Sequence, residues 1–453
     1  MIYTDTFQAI IFKQANIRRS IYIKLMTTAL IRKLYSFALA FLALSIASHA
    51  MAQNNESPNI VLIMSDYMGY SDIGPYGATD IQTPSLNTLA EQGVTFSNYY
   101  SAAPVCGPSR AALLSGLYPA KVGMQDNIAT ISDGLAAEDS SLVKGLKQAG
   151  YRTAMVGKWH LGQEGEFSPN THGFDSFFGF HTWTLGYHDH RTPNGVPGLY
   201  RNEELIDEDG YLTTLFTDEA VDFIADESDA PFFLYLSYNT GLPPYQRPDL
   251  PEPLWHTGWD VNQASREDYV AMVESMDQGI GRVLNSLENA SLTDNTLVIF
   301  TYDHGGRHLV DSEPLFHGFA TLWEGGIRVP LIMRWPDQIN SGQDIEQTSI
   351  AMDLTATMLA AAGQTDQTLD GADLLPTLQN QDAENPRTLF WQYGPMWATR
   401  QGKWKYVLDN GTQFLFDLEE DIAERDNLLA TYPEIARNMR ETLIEWSQTL
   451  PNR

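Results

Sequence analysis

The sequence predicts an α/β fold. A large, mostly parallel sheet flanked by helices is followed by a small C-terminal antiparallel α+β subdomain. Three observations carry this. Continuous apolar runs of β-formers recur along the chain, as in strands buried on both faces. Helical stripes and amphipathic segments closed by glycine lie between them, so strand and helix alternate. After about residue 385 the pattern shifts to short aromatic strands and one acidic helix, which places a main domain over 53–380 and a subdomain over 381–453.

The first strand is Asn59-Ile60-Val61-Leu62-Ile63-Met64, and it runs into Ser65-Asp66. Open α/β sheets bind ligands at the C-terminal ends of their strands, which makes Asp66 a candidate. Thr83 to Ala90 reads as a short helix with Thr83 as its N-cap and Pro84 in its first turn. Next comes Cys106-Gly107-Pro108-Ser109-Arg110-Ala111-Ala112-Leu113-Leu114-Ser115-Gly116. Proline suits a first turn, Ala111 to Leu114 favour helix, and Gly116 is a natural stop. Cys106 is thus expected at a helix N-terminus, where free N–H groups and the dipole favour negative charge. Arg110 follows one turn on along the same face. Taken alone, a single cysteine reads as a small buried apolar group.

Leu142 to Ala149 is amphipathic and stops at Gly150. The strand Tyr151 to Val156 leads into Gly157-Lys158-Trp159-His160-Leu161-Gly162, where Lys158 and His160 share one side if the backbone is extended. Residues 165–210 form a long stretch rich in glycine and aromatics, with His172, His181, His188 and His190. Loops of that length usually carry specificity. The spacing of His181, His188 and His190 fits no standard structural zinc pattern and no cysteine accompanies them, so they are assigned to substrate contact.

Phe232 to Ser237 is another buried strand. Arg266 to Leu287 carries apolar residues at Tyr269, Met272, Val273, Met276, Ile280, Val283, Leu284 and Leu287, a helical stripe that faces the sheet. Thr296 to Phe300 is the next strand and also ends in a carboxylate, in Tyr302-Asp303-His304-Gly305-Gly306. Pro330 to Met333 is a further strand, and Ile350 to Ala362 a helix closed by Gly363. The short strands 389–391, 404–407 and 414–416 then precede the helix Glu434 to Trp446.

The N-terminus is of a different kind. Arg32-Lys33 precedes the apolar run Leu34 to Leu44, and Ala50-Met51-Ala52 supplies an A-x-A cleavage site, so residues 1–52 read as a signal peptide. The run is short of the ~20 residues a membrane span needs. The protein is expected to be exported, periplasmic or secreted, with no span in the mature chain. That leader holds six of the 28 basic and one of the 57 acidic residues, which leaves 22 basic against 56 acidic, a net charge of −34. Nucleic acid and anionic membrane are excluded as partners on that balance, and any anion site must be locally basic. One cysteine excludes an internal disulfide framework.

Asp66, Asp303 and His304 end two core strands, and Cys106 is expected at the same sheet edge. Hard oxygen donors gathered there point to a divalent cation, calcium first, while a histidine ligand admits manganese. The simpler alternative is that each carboxylate caps a neighbouring helix.

Cys-x-Pro-x-Arg followed by a Leu-Leu-x-Gly helix resembles the signature of the type I, formylglycine-dependent sulfatases. Asn59–Asp66, Thr83–Phe96, Cys106–Pro119, Gly157–Gly162, Thr301–Gly306, Trp323–Pro330 and Leu369–Leu375 resemble that family's blocks in the family's order, and Trp397 to Leu428 resembles its C-terminal subdomain. The resemblance implies an alkaline-phosphatase-like fold and hydrolysis of sulfate esters. The signal peptide, the long aromatic loops and the acidic surface add the expectation of a scavenging enzyme that acts on a sulfated, algal-type glycan. The resemblance further implies that Cys106 is oxidised to formylglycine by a formylglycine-generating enzyme, and that the aldehyde hydrate is the nucleophile. Arg110 and Lys158 would hold that hydrate and the sulfuryl oxygens. His160 would take the proton of the second hydroxyl. Asp66, Asp303, His304 and residue 106 would bind the metal.

Three positions depart from the family pattern. Tyr67 stands where a second acid is usual, Leu242 where a histidine is usual, and Phe319 where a lysine is usual. His317, or a histidine of the 181–190 loop, is expected to enter the vacated space. Two alternatives stay open at this stage: a sulfatase-fold enzyme that cleaves a glycosidic or phosphoester bond, and a glycan-binding protein without turnover.

Overall fold

The computed structural model describes residues 57–451 except 128–133, 164, 227, 251–260, 366–367 and 381–385; before Ser57 it describes positions 16, 18, 19 and 26. The leader expected over residues 1–52 therefore lies outside the described residues. Ser57–Arg453 forms one compact unit.

Ten strands build the main sheet: Asn59–Ser65 (β1), Val94–Phe96 (β2), Arg152–Lys158 (β3), Ser176–Phe180 (β4), Tyr200–Arg201 (β5), Glu204–Leu205 (β6), Phe232–Ser237 (β7), Thr296–Tyr302 (β8), Leu331–Arg334 (β9) and Gln343–Ile345 (β10). Their order across the sheet is β10-β2-β9-β8-β1-β7-β3-β4-β5-β6. The centre, β8-β1-β7-β3-β4, is all parallel, in register from Ile60 opposite Phe233 and Leu297. β9 runs antiparallel to both β8 and β2. The apolar runs map onto the central strands because a parallel sheet covered on both faces leaves no side of a strand for water. All seven residues of β8 are buried.

Two groups of helices cover the sheet. Pro84–Gln92 (α1), Leu212–Ala225 (α4) and Arg266–Asn289 (α5) pack together, as do Cys106–Ser115 (α2), Ser141–Gln148 (α3) and Ala351–Ala361 (α6). The stripe of α5 is buried as its spacing requires, through Tyr269, Met272, Val273, Met276, Ile280, Val283 and Leu287. Each such side chain contributes roughly 1.5–3 kcal/mol of burial. Ser265 starts α5 with a reciprocal capping box to Asp268. Thr83 precedes α1 without capping it; its hydroxyl accepts from Gly74 N–H instead.

The C-terminal part is a four-stranded antiparallel meander of Thr388–Tyr393, Met396–Gln401, Trp404–Asp409 and Thr412–Asp417, covered by the helix Pro433–Ser447. One apolar layer joins Tyr406 and Leu415 to Ala436, Met439 and Leu443 of that helix. A second joins Leu389, Trp391 and Phe416 to Tyr100, Trp323 and Ile350 of the main body. Among the described residues no helix is long and apolar enough to cross a membrane.

Candidate active site

Four strand ends and one helix N-terminus converge at one edge of the main sheet. β1 delivers Asp66, β3 delivers Lys158 and His160, β7 delivers Ser237, and β8 delivers Asp303 and His304. Cys106 opens α2, which is buried along its whole length and ends at Gly116 in the left-handed conformation, φ 73°. The Asn127 side-chain oxygen accepts from Gly107 N–H at 3.0 Å, satisfying one of the free donors at this helix start. β3 and β7 touch closely here. At Gly157, φ 106°, an added Cβ would lie 2.0 Å from the Ser237 carbonyl oxygen, so no side chain fits between them.

One donor atom from each of Asp66, Cys106, Asp303 and His304 lies within 4.8 Å of the others, and all four residues are buried. His304 Nε2 is 3.1 Å from Cys106 Sγ, and Asp66 Oδ1 is 3.8 Å from the same sulfur. His304 Nε2 is also 3.5 Å from Asp303 Oδ1.

Two cations stand behind the carboxylates. Arg110 reaches Asp303 Oδ2 through Nε at 3.0 Å and Asp66 Oδ2 through a terminal nitrogen at 2.8 Å. Its other terminal nitrogen donates to Ser237 Oγ at 2.6 Å and to the Lys158 carbonyl at 3.0 Å. Lys158 Nζ donates to Asp66 Oδ2 at 2.6 Å. The outer oxygens are thereby used, and the inner ones face Cys106 and His304. Asp303 Oδ1 is buried with no hydrogen-bond partner among the described residues. An orphaned buried carboxylate oxygen beside a second carboxylate, an imidazole and residue 106 is the donor set a divalent cation takes, so the residues present fit a metal.

Burial opposes ionisation of Asp66, yet the charges of Lys158 and Arg110 hold it well below the usual carboxylate range. Asp303 is pushed up, by burial and by the neighbouring Asp66. Burial opposes a charge on His304, but Asp303 and Cys106 outweigh it and raise the imidazole to about 9. His160 goes the other way. Burial, then Lys158 and Arg110, lower it well below its ordinary value, so it is a neutral imidazole. Its backbone is left-handed, φ 55°, and its buried Nδ1 has no partner among the described residues. A non-glycine residue held there at a site is strain that the surrounding structure sustains.

The cleft above Cys106 encloses about 310 Å³ and is lined by Tyr67, Asn127, His160, Trp183, Leu242, Pro243 and Phe319. Of the residues expected from the sequence, Asp66, Cys106, Lys158, His160, Asp303, His304 and Arg110 come together. Arg110 does so from behind the carboxylates, fully buried, rather than from the cleft wall.

The other histidines are placed elsewhere. His181 packs on Phe177 and Tyr200, His188 bonds the Arg247 carbonyl, and His190 bonds the Gly210 carbonyl. His317 is exposed and packs between Phe316 and Trp323. None of the four lines the cleft. The space left by the departures is filled by the departing residues themselves: the Tyr67 and Phe319 rings meet at 5.0 Å, and both flank His304. Aromatic rings of that size pack on one another and leave no opening for an added imidazole. Sequence reasoning missed Trp183, Asn127 and Ser237. Trp183 belongs to the aromatic-rich 165–210 stretch and Ser237 to a strand end, so both carried a signal; Asn127 carried none.

The sulfatase family model matches residues 58–364, and the model for the C-terminal part of N-sulphoglucosamine sulphohydrolase matches residues 316–449. The chain is 34% identical to N-acetylgalactosamine-6-sulfatase of Rattus norvegicus, over 77% of this chain and 71% of that one. It is 29% identical to steryl-sulfatase of Homo sapiens, over 92% of this chain and 91% of that one. The crystal structure of Ps i-CgsB in complex with k-i-k-neocarrahexaose matches with a TM-score of 0.79 at 31% identity, over 87% of this chain and 94% of that one. The chain therefore belongs to the sulfatase family of sulfuric ester hydrolases, on the alkaline-phosphatase-like fold.

Proposed function

We propose that this protein is an exported carbohydrate sulfatase, periplasmic or secreted, that removes sulfate esters from a sulfated polysaccharide or oligosaccharide of the algal kind. Cys106, matured to formylglycine by a formylglycine-generating enzyme, would supply a hydrate oxygen as nucleophile. The observation that carries the reading is the buried Asp66–Cys106–Asp303–His304 set at the floor of the cleft. A divalent cation held there, calcium or else manganese, would supply Lewis-acid polarisation of the sulfate.

The chain's own residues divide the remaining work. Arg110 and Lys158 fix the outer oxygens of Asp66 and Asp303, which aims the inner ones at residue 106. Lys158, whose ammonium lies 2.6 Å from Asp66 Oδ2, would also meet a sulfuryl oxygen. His160 lines the cleft as a neutral imidazole and would act as the base toward residue 106. The walls are mostly apolar. Trp183, 43% exposed, offers its indole face to the non-polar side of a sugar ring.

Leu242 and Phe319 favour a second reading, in which the same pocket cleaves a glycosidic or phosphoester bond. One comparison separates the two. The chain, co-expressed with a formylglycine-generating enzyme, is assayed on sulfated algal and animal glycan fragments beside Cys106→Ser. Sulfate released by the parent alone supports the sulfatase. Products of chain or phosphoester cleavage that survive Cys106→Ser support the second reading and sink the first.

A further inference from the structure

A second groove of about 530 Å³ adjoins the cleft, with Phe319 on the wall of both. Its other lining includes Arg307, His317, Ser312, Asp311 and Glu313. Arg307 follows the His304-Gly305-Gly306 turn, so it leaves the catalytic floor directly into this groove. Its charge acts on Tyr67 on the cleft side and on His317 on the groove side, which sets it between them. Arg425 comes from the C-terminal part and lays its guanidinium over Phe316, 4.6 Å from the ring centroid. Its charge also reaches His317.

Arg307 and Arg425 are both exposed, and neither is in an ion pair with a described carboxylate. That is notable in a chain with 57 acidic and 28 basic residues. Ser312 Oγ, on the same groove wall, is buried with no hydrogen-bond partner among the described residues. The two acids that line the groove restrict an anion to the Arg307 end; Asp311 is partly occupied by the Glu313 N–H.

We propose that this groove is a second saccharide subsite, which holds an anionic group on the sugar next to the one that loses its sulfate, with Arg307 as the main contact and Arg425 and His317 beside it. The anion is a sulfate ester or a uronate carboxylate; both present oxygens that a guanidinium fork bonds in pairs. The proposal rests on reading the Cys106 centre as a carbohydrate sulfatase, and its substrate is then a polyanionic glycan rather than a sparsely sulfated one.

The test uses three disaccharide probes that carry the same sulfate ester on one sugar and, on its neighbour, a second sulfate, a uronate or no charge. Binding is measured by calorimetry on the full chain carrying Cys106→Ser, so that turnover plays no part. The doubly charged probes bind about tenfold tighter than the singly charged one, as a charge-assisted hydrogen bond at a partly exposed site supplies. Arg307→Ala brings the ratio to about one, Arg307→Lys keeps part of it, and Arg425→Ala, on a separate loop, lowers it. The preference weakens as salt is added. Equal preference for sulfate and uronate marks a general anion subsite; preference for sulfate alone marks a sulfate subsite. No preference in the parent, or a preference unchanged in both alanine variants, overturns the proposal. Absence of sulfate release from the matured parent, with the binding preference intact, would instead remove the sulfatase reading and leave the subsite standing.

Discussion

His304 Nε2 stands 3.1 Å from Cys106 Sγ, joining two residues 198 positions apart at the floor of one cleft. The contact exists because β8 ends where α2 begins, and because Arg110 holds Asp303 and Asp66 from behind. Arg110 is therefore a positioning residue, and its planar fork is what lets it bond both carboxylates. Arg110→Lys keeps the charge but not the fork. It is expected to weaken metal affinity about 10–100-fold, as loss of a group that orients metal ligands does. Titration of the metal-stripped protein with calcium and with manganese checks this without recourse to activity; unchanged affinity for both would show that Arg110 serves only to balance charge.

His160 is held neutral by burial and by the charges of Lys158 and Arg110. A group with a depressed imidazole value is deprotonated throughout the neutral range, so kcat/KM should stay flat from neutrality down past the ordinary value of 6.5 and fall only at lower pH. His160→Gln should lower kcat on the order of 10²–10⁴-fold and abolish that acid limb. An acid limb that persists in the variant would assign the base to another group.

Much of this was legible before the fold. The central strands read correctly because burial on both faces writes an unbroken apolar run, and α5 because its stripe has a single period. Met396–Gln401 was missed, since Ala-Thr-Arg-Gln at an antiparallel surface gives no such run. The direction of β9 was not readable either: an apolar run looks the same in a parallel and an antiparallel pair. At the site, the residues at strand ends and at the helix start lie together, as their positions in the sequence suggested. Those set by long-range packing were not legible. His188 and His190 turn to carbonyls of Arg247 and Gly210, partners that spacing along the chain does not reveal. Tyr67 and Phe319 looked like gaps in a polar site, whereas in the fold they fill the gap by packing on each other.

Trp183 lies on the cleft wall with 43% of its surface exposed, where an indole can stack on a sugar ring. Trp183→Ala should raise KM for an oligosaccharide roughly tenfold, consistent with about 1.4 kcal/mol of lost stacking, and change kcat far less. Trp183→Phe should recover most of the loss. A fall in kcat at constant KM would place the indole in the chemistry instead of in sugar binding.

The joint between the two sheets carries its own titration. Lys405 Nζ lies 2.7 Å from Glu324 Oε1 and 2.8 Å from Glu424 Oε1, and Glu424 Oε2 accepts from Glu324 N–H at 2.6 Å. Burial and the neighbouring Glu324 raise Glu424 to about 7 from an ordinary 4.5, outweighing Lys405. Burial also opposes ionisation of Glu324, but Lys405, Arg328 and Arg400 hold it at about 2. The signs differ. Between pH 4.5 and 7 the folded chain keeps a proton on Glu424 that the unfolded chain has lost, so this group's contribution to stability falls as pH rises and levels off above 7. Below pH 4.5 the Glu324 contribution is lost as pH falls toward 2. Glu424→Gln removes the first effect and leaves the second. The difference in Tm between variant and parent should therefore move in the variant's favour from pH 5 to pH 8, by roughly 3 °C, and stay constant above that. Parallel Tm curves across this range would mean that Glu424 is ionised in the fold throughout, with Lys405 as the stronger influence.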